Sequence, residues 1–125
     1  MISWFEKHNK LSWIITIFIA IIIFYFSTLS FEGVGDTYTK NWLSIVYHIG
    51  IFFFLSLFLF ISLIKGESNS KLFFFAILIL ISYGIIDEIH QFFVQGRFCT
   101  VIDVLFDSIG VFFAFMVYLI FLKLR

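Results

Sequence analysis

The chain has 125 residues, 62% hydrophobic, 23% aromatic and 13% charged, with zero formal net charge and a mean hydropathy of +1.12. A soluble domain of this length buries only about two-thirds of the surface its unfolded chain exposes, too little to hide so much apolar side chain, so lipid is the solvent and there is room for one domain only. Zero net charge excludes a basic nucleic-acid surface, and a single cysteine, Cys99, excludes an intramolecular disulfide.

The first apolar stretch, residues 11–29, carries no charge and is just long enough to cross a bilayer. Lys7 and Lys10 before it and Thr28-Leu29-Ser30 after it resemble a signal peptide with its cleavage site. The apolar run is longer than the ~7–15 residues of such segments, so it is read as a retained helix that closes with Ser27 and Thr28. The second stretch, 41–64, is interrupted only by His48, and the connector before it holds Glu32, Gly33, Gly35, Asp36 and Lys40. The third, 72–94, begins as a run of Phe, Leu and Ile and turns polar at Asp87. The fourth, 101–122, opens with Asp103 and Asp107 and is wholly apolar after Gly110. The prediction is therefore an all-α polytopic membrane protein, four transmembrane helices in an antiparallel bundle. The chain has no proline, so none of these helices is kinked by that route. Its 21 phenylalanines read as lipid-facing filler rather than a cofactor stripe.

Lysine and arginine set the orientation. Lys7, Lys10, Lys65, Lys71, Lys123 and Arg125 flank one set of span ends, against Lys40 and Arg97 on the other. Six against two predicts both termini in the cytoplasm. At a rise of about 1.5 Å per residue, His48, Asp87 and Asp107 then each lie roughly 10 Å below the outer ends of their helices. The polar residues of several helices converge on one layer, the outer-leaflet interface.

Asp87, His90, Gln91 and Val94 follow the i, i+3, i+4, i+7 pattern of one helix face, with Glu88 about 100° away. Asp103, Asp107 and Gly110 share a face by the same rule, and Gly84 and Gly110 allow close helix approach. The short Gln95-Gly96-Arg97 connection makes the last two spans antiparallel neighbours, with Gly96 as the left-handed cap of the third. A carboxylate at mid-bilayer costs about 2.5–3.5 kcal/mol, so four unrelieved would cost on the order of 10 kcal/mol. These residues must therefore face inward, line a wet cleft, pair with Arg97, His90 or His48, share protons or bind a metal.

Asp87, Glu88, His90 and Asp103 in one small site exceed what anchoring helix ends requires, so a functional site is expected. Asp87 and Glu88 are the candidate general acid/base residues, with His90 beside them as the third catalytic candidate. Gln91, Arg97, Asp103, Asp107 and His48 are candidate substrate-binding residues. Arg97 has Asp103 or Glu88 as its simplest partner and an anionic headgroup as its sharper one. A divalent metal is an open alternative, with Asp87, His90 and Asp103 as ligands, because Asp87-x-x-His90 is an i, i+3 pair of the kind used in helical carboxylate sites. Cys99 could be acidified by nearby Arg97, but a small loop residue is the favoured reading. There is no Ser-His-Asp signature, nucleotide loop or paired-cysteine motif.

The run Tyr83-Gly84-x-x-Asp87-Glu88-x-His90-Gln91-x-Phe93-Val94-x-Gly96-Arg97-x-x-Thr100-x-x-Asp103-Val104-x-x-Asp107-x-x-Gly110 resembles the VanZ-like family of small bacterial and archaeal membrane proteins. Phe26-Ser27-Thr28 and the pair His48 and Phe52 extend the likeness over nearly the whole chain. The chain departs from the family in having Gln95 where proline is usual and Thr100 where serine is common, and in lacking a lysine before His48. The resemblance implies an envelope protein of the cytoplasmic membrane and a link to resistance against teicoplanin, a lipid-tailed glycopeptide acting at the outer membrane surface. Three functions stay open: a protein binding a lipid or lipopeptide headgroup, an intramembrane enzyme acting on a lipid-linked substrate, and a proton- or ion-coupled carrier. The carrier is the least favoured, because the sequence shows no inverted repeat.

Overall fold

A computed structural model describes residues 1–29, 42–97 and 99–125. The first connector, with Glu32, Gly33, Gly35, Asp36 and Lys40, lies outside the described residues, as does the expected start of the second span at residue 41. Among the described residues all regular structure is helical: α1 (Ile2–Lys7), α2 (Asn9–Thr28), α3 (Trp42–Ile64), α4 (Ser70–Phe92) and α5 (Val101–Leu124). The last four are each long and apolar enough to cross a membrane, and the chain is a multi-pass membrane protein.

The spans match the expected ones, but several ends differ by about two residues. α2 begins at Asn9, α4 begins at Ser70, and α5 runs to Leu124, so Lys10, Lys71 and Lys123 are helical. Hydropathy marks where hydrocarbon ends, whereas the backbone ladder continues until a cap stops it. For α4 that cap is Asn69, whose side chain accepts from the amides of Lys71 and Leu72 at 3.0 and 3.4 Å. The short α1 was not expected, because six residues carry too little periodicity to register. It is held by the edge-on contact of Phe5 with Phe58, 5.2 Å between ring centroids, and by Glu6.

Two turns set the topology. Between α3 and α4, Lys65 and Gly66 both adopt left-handed φ angles of 52° and 79°, and the Glu67 amide donates to the Ile64 carbonyl at 3.0 Å. That is a type I′ reversal. After α4, Gly96 is not the helix cap. α4 ends at Phe92 with Phe93 as a right-handed cap, and Gly96 occupies the third position of a separate turn closed by Arg97 N–H to Val94 O at 3.2 Å. Its φ of 80° suits a type II turn, whose second position, here Gln95, is the one proline favours.

α3 lies innermost, packed along α5 and also against α2 and α4. The closest approach is at Gly110 of α5, where an added Cβ would stand 2.4 Å from the Ile49 carbonyl oxygen of α3. Many phenylalanines face outward, including Phe18, Phe54, Phe74 and Phe112. Phe60, Phe73 and Phe115 instead form an inner aromatic cluster with Tyr118, centroids 5.3–6.2 Å apart. The Tyr118 hydroxyl accepts from Gly66 N–H at 3.0 Å and donates to Glu6 at 2.8 Å, while Arg125 pairs with Glu6 at 2.9 Å. Both termini and the α3–α4 turn thus close one end of the bundle.

The helix spacing can be tested at three glycines. Gly110→Val should lower stability by about 1–3 kcal/mol, the range for overpacking, because backbone atoms of α3 stand in the way. Gly84→Ala meets only side chains at 3.3–3.5 Å and Gly50→Ala meets nothing within 4 Å, so the losses should fall in that order. Thermal denaturation in detergent reads them, and a Gly110→Val protein as stable as wild type would refute the close α3–α5 approach.

Candidate functional site

At the opposite end of the bundle, five ionisable side chains from three helices are between 2% and 8% exposed: His48, Asp87, Glu88, Asp103 and Asp107. Burial this deep excludes a solvated anchoring network at helix ends. α5 delivers two of them because Asp103, Asp107 and Gly110 lie on the buried face expected from their spacing. Tight packing at Gly110 brings that face against α3, where His48 Nδ1 lies 2.8 Å from Asp107 Oδ1 and Nε2 lies 3.5 Å from Asp103 Oδ1. His48, alone on its span, is the hub that joins the two α5 carboxylates.

Asp103 is also the third residue of α5, where it shares in the N-terminal cap. Thr100 accepts the Asp103 amide at 3.3 Å and donates its hydroxyl to Asp103 Oδ2 at 2.7 Å. In a capping box the third helical residue would reach back to the cap's own N–H. Here Glu88 of α4 takes that donor, Thr100 N–H to Glu88 Oε2 at 3.2 Å. With the acceptor borrowed from α4, Asp103 Oδ1 faces His48, and the end of α4 is tied to the start of α5.

Asp87 and Glu88 are neighbours in sequence but serve different interfaces, as a separation of 100° around the helix requires. Asp87 faces α2, where Ser27 Oγ donates to Oδ1 at 2.5 Å and Gln91 Nε2 donates to Oδ2 at 3.0 Å. His90, expected beside Asp87, instead stacks on Phe24 of α2, with ring centroids 4.4 Å apart. Val94 lies beyond the end of α4. Arg97, for which Asp103 or Glu88 was the expected partner, donates from Nε to Leu29 O at 2.9 Å and from Nη2 to Phe26 O. These are carbonyls of the last turn of α2, so the guanidinium acts as a cationic C-terminal cap for that helix.

A cavity of about 460 Å³ opens between α2, α3 and α4 at this end. Ile23, Leu43, Ile51 and Phe52 supply apolar wall, and Ser27, Ser44, Tyr47, His48, Asp87, Gln91 and Arg97 supply polar groups. Ser44 and Tyr47 were missed from sequence. Residues 44, 47, 48, 51 and 52 recur at helical spacing around His48, which was the available signal. As to a metal, the described residues that bring three ligand atoms within 4.8 Å of one another are His48, Glu88 and Asp107. Of the expected trio Asp87, His90 and Asp103, two are engaged with α2 and the third with Thr100 and His48.

Residues 11–122 match the family model described as VanZ/LLP1. No curated protein sequence and no solved structure matches the chain.

Cys99 sits on the exposed link between α4 and α5. Partial desolvation, then the Glu88 carboxylate beside it, push its thiol above the ordinary range. This is the reverse of the acidification that Arg97 suggested. A raised pKa means less thiolate at a given pH, so alkylation by iodoacetamide should reach half its maximal rate above the usual pH of about 8.5. Glu88→Gln removes the carboxylate charge and should move that midpoint down, and an unchanged midpoint would show that Glu88 does not act on Cys99.

Proposed function

The chain belongs to the VanZ/LLP1 family, and from that premise we propose that it is a cell-envelope protein whose cavity receives the polar headgroup of a lipid or lipopeptide. The observation that carries this reading is the cavity between α2, α3 and α4, apolar on its walls and polar at Asp87, Gln91, His48 and Arg97. Its volume falls within the roughly 300–1,000 Å³ of small-ligand sites. A headgroup bearing hydroxyl or ammonium donors finds an acceptor at Asp87, an anionic group finds Arg97, and an acyl chain finds the apolar wall. The excess of lysine and arginine at the other end supports an outer-facing opening, and the membrane proposed, from the family likeness, is the cytoplasmic membrane of a bacterium or archaeon. That is the surface at which a lipid-tailed glycopeptide such as teicoplanin acts.

One observation favours a second reading, catalysis on a lipid-linked substrate. His48 lines the cavity while Asp107 sits 2.8 Å behind its ring, and a carboxylate that orients an imidazole is a common acid–base arrangement. Glu88 and Asp87 would assist it in proton transfer.

The two readings part on measurement. Expressed in a glycopeptide-sensitive bacterium, the wild-type protein should reduce susceptibility to teicoplanin but not to vancomycin, and Asp87→Asn should abolish the effect. Equal susceptibility in every strain would detach the protein from resistance. In nanodiscs, Ser44→Trp puts a large side chain into the cavity lining and should weaken headgroup binding by roughly tenfold or more, about 1.4 kcal/mol. Unchanged binding would remove the cavity from the account, and turnover lost in Asp107→Asn at unchanged affinity would select the enzyme.

A further inference from the structure

The two oxygens of Glu88 have different surroundings. Oε2 accepts the Thr100 amide and the weakly donating Cys99 thiol lies beside the carboxylate, whereas Oε1 is buried with no partner in hydrogen-bond geometry. Buried acceptors are matched as a rule, so an unmatched carboxylate oxygen at 2% residue exposure calls for a ligand. Glu88 belongs to the one group among the described residues in which three donor-bearing side chains converge, with a ligand atom of each of His48, Glu88 and Asp107 within 4.8 Å of the others. Donors around one cation, each about 2.0–2.2 Å from it, stand roughly 3–4 Å apart. Small side-chain rotations therefore close the set.

Its three members come from α3, α4 and α5, and their chemistry is mixed. Imidazole nitrogen suits zinc and iron, carboxylate oxygen suits manganese and magnesium, and one nitrogen with two carboxylates falls between them. The ring of His48 has a carboxylate near each nitrogen, Asp107 at 2.8 Å and Asp103 at 3.5 Å. If one nitrogen binds a cation, the other keeps the carboxylate support typical of ligating histidines. Asp103 is itself held by the Thr100 hydroxyl. His48 also lines the cavity, which provides an entry path and a side open to a further ligand.

We propose that His48, Glu88 and Asp107 bind one divalent first-row transition cation, Zn²⁺ or Mn²⁺, at the junction of α3, α4 and α5. This site is separate from the Asp87–Ser27–Gln91 cluster on α2, and it needs no headgroup in the cavity.

The full chain, purified in detergent and stripped with chelator, is loaded with Zn²⁺ or Mn²⁺ alone and measured by elemental analysis and, for Mn²⁺, by paramagnetic resonance. Wild type should retain about one ion per chain. Losing even a hydrogen-bond supporter of a metal ligand costs about 10–100-fold in affinity, so Glu88→Gln and Asp107→Asn should each weaken binding by roughly tenfold or more. His90→Ala should bind as wild type does. The cation should raise the thermal midpoint of wild type and leave that of Glu88→Gln unmoved. Glu88→Gln preserves shape and the acceptor for Thr100, so it decides the matter if Asp107→Asn does not fold. Sub-stoichiometric metal in wild type, or Glu88→Gln binding as tightly as wild type, overturns the proposal. A loss confined to His90→Ala overturns it as well and moves the ion to α4's other face. No outcome of this titration bears on headgroup binding, which is read in nanodiscs without added metal.

Discussion

Lipid offers a carboxylate no hydrogen-bond donor, so each acidic side chain carried into the membrane layer must find its donors inside the protein. The site end of this bundle is organised around that requirement. Asp87 takes donors from Ser27 of α2 and Gln91 of its own helix. Asp107 and Asp103 share the ring of His48. Asp103 and Glu88 divide the N-terminal donors of α5 between them, through Thr100. Apart from the Gln91–Asp87 bond within α4, these matches cross from one helix to another or close a helix end, so satisfying the charges and assembling the bundle are largely the same event.

Backbone proximity makes those matches possible. Gly110 brings α5 against the backbone of α3 at Ile49, one residue from His48, which is why a short imidazole reaches both α5 carboxylates. On α4, Gly84 makes room for the side chains of Asp107 and Phe52, one turn from Glu88. The far end is held by different means, an aromatic cluster around Tyr118 and the Glu6–Arg125 pair that joins the two termini. The polar end can therefore keep an open cavity while apolar packing supplies cohesion elsewhere.

The site divides into two neighbourhoods. Asp87, Ser27 and Gln91 face the cavity with Arg97 near α2's last turn, a setting for the polar part of an amphipathic ligand. His48, Glu88, Asp103 and Asp107 meet between α3, α4 and α5, a setting for a small cation. His48 borders both, so an occupant of one is in reach of the other.

Much of this was legible in the sequence. Hydropathy located four spans, and counting residues from their ends put His48, Asp87 and Asp107 at one depth, because depth depends only on position along a helix. Helical spacing put Asp103, Asp107 and Gly110 on one face, since that too is local. Partner choice was not local. Asp87 and His90 share a spacing pattern, yet one meets Ser27 and the other Phe24, because α2 spans the whole width of that face. Arg97 was read as a partner for acids near it in sequence or for an anionic headgroup, and the structure adds contacts that spacing did not suggest, with carbonyls at the end of a helix nearly seventy residues earlier. The six residues of α1 were too few to show a period, and their place is explained by residues far along the chain, Phe58, Tyr118 and Arg125. The sequence by itself determined how many helices are long enough to span the membrane and which residues share a helix face. The tertiary structure decided which charges meet, because helix rotation and closest approach depend on contacts such as Gly110 against Ile49 that no periodicity records.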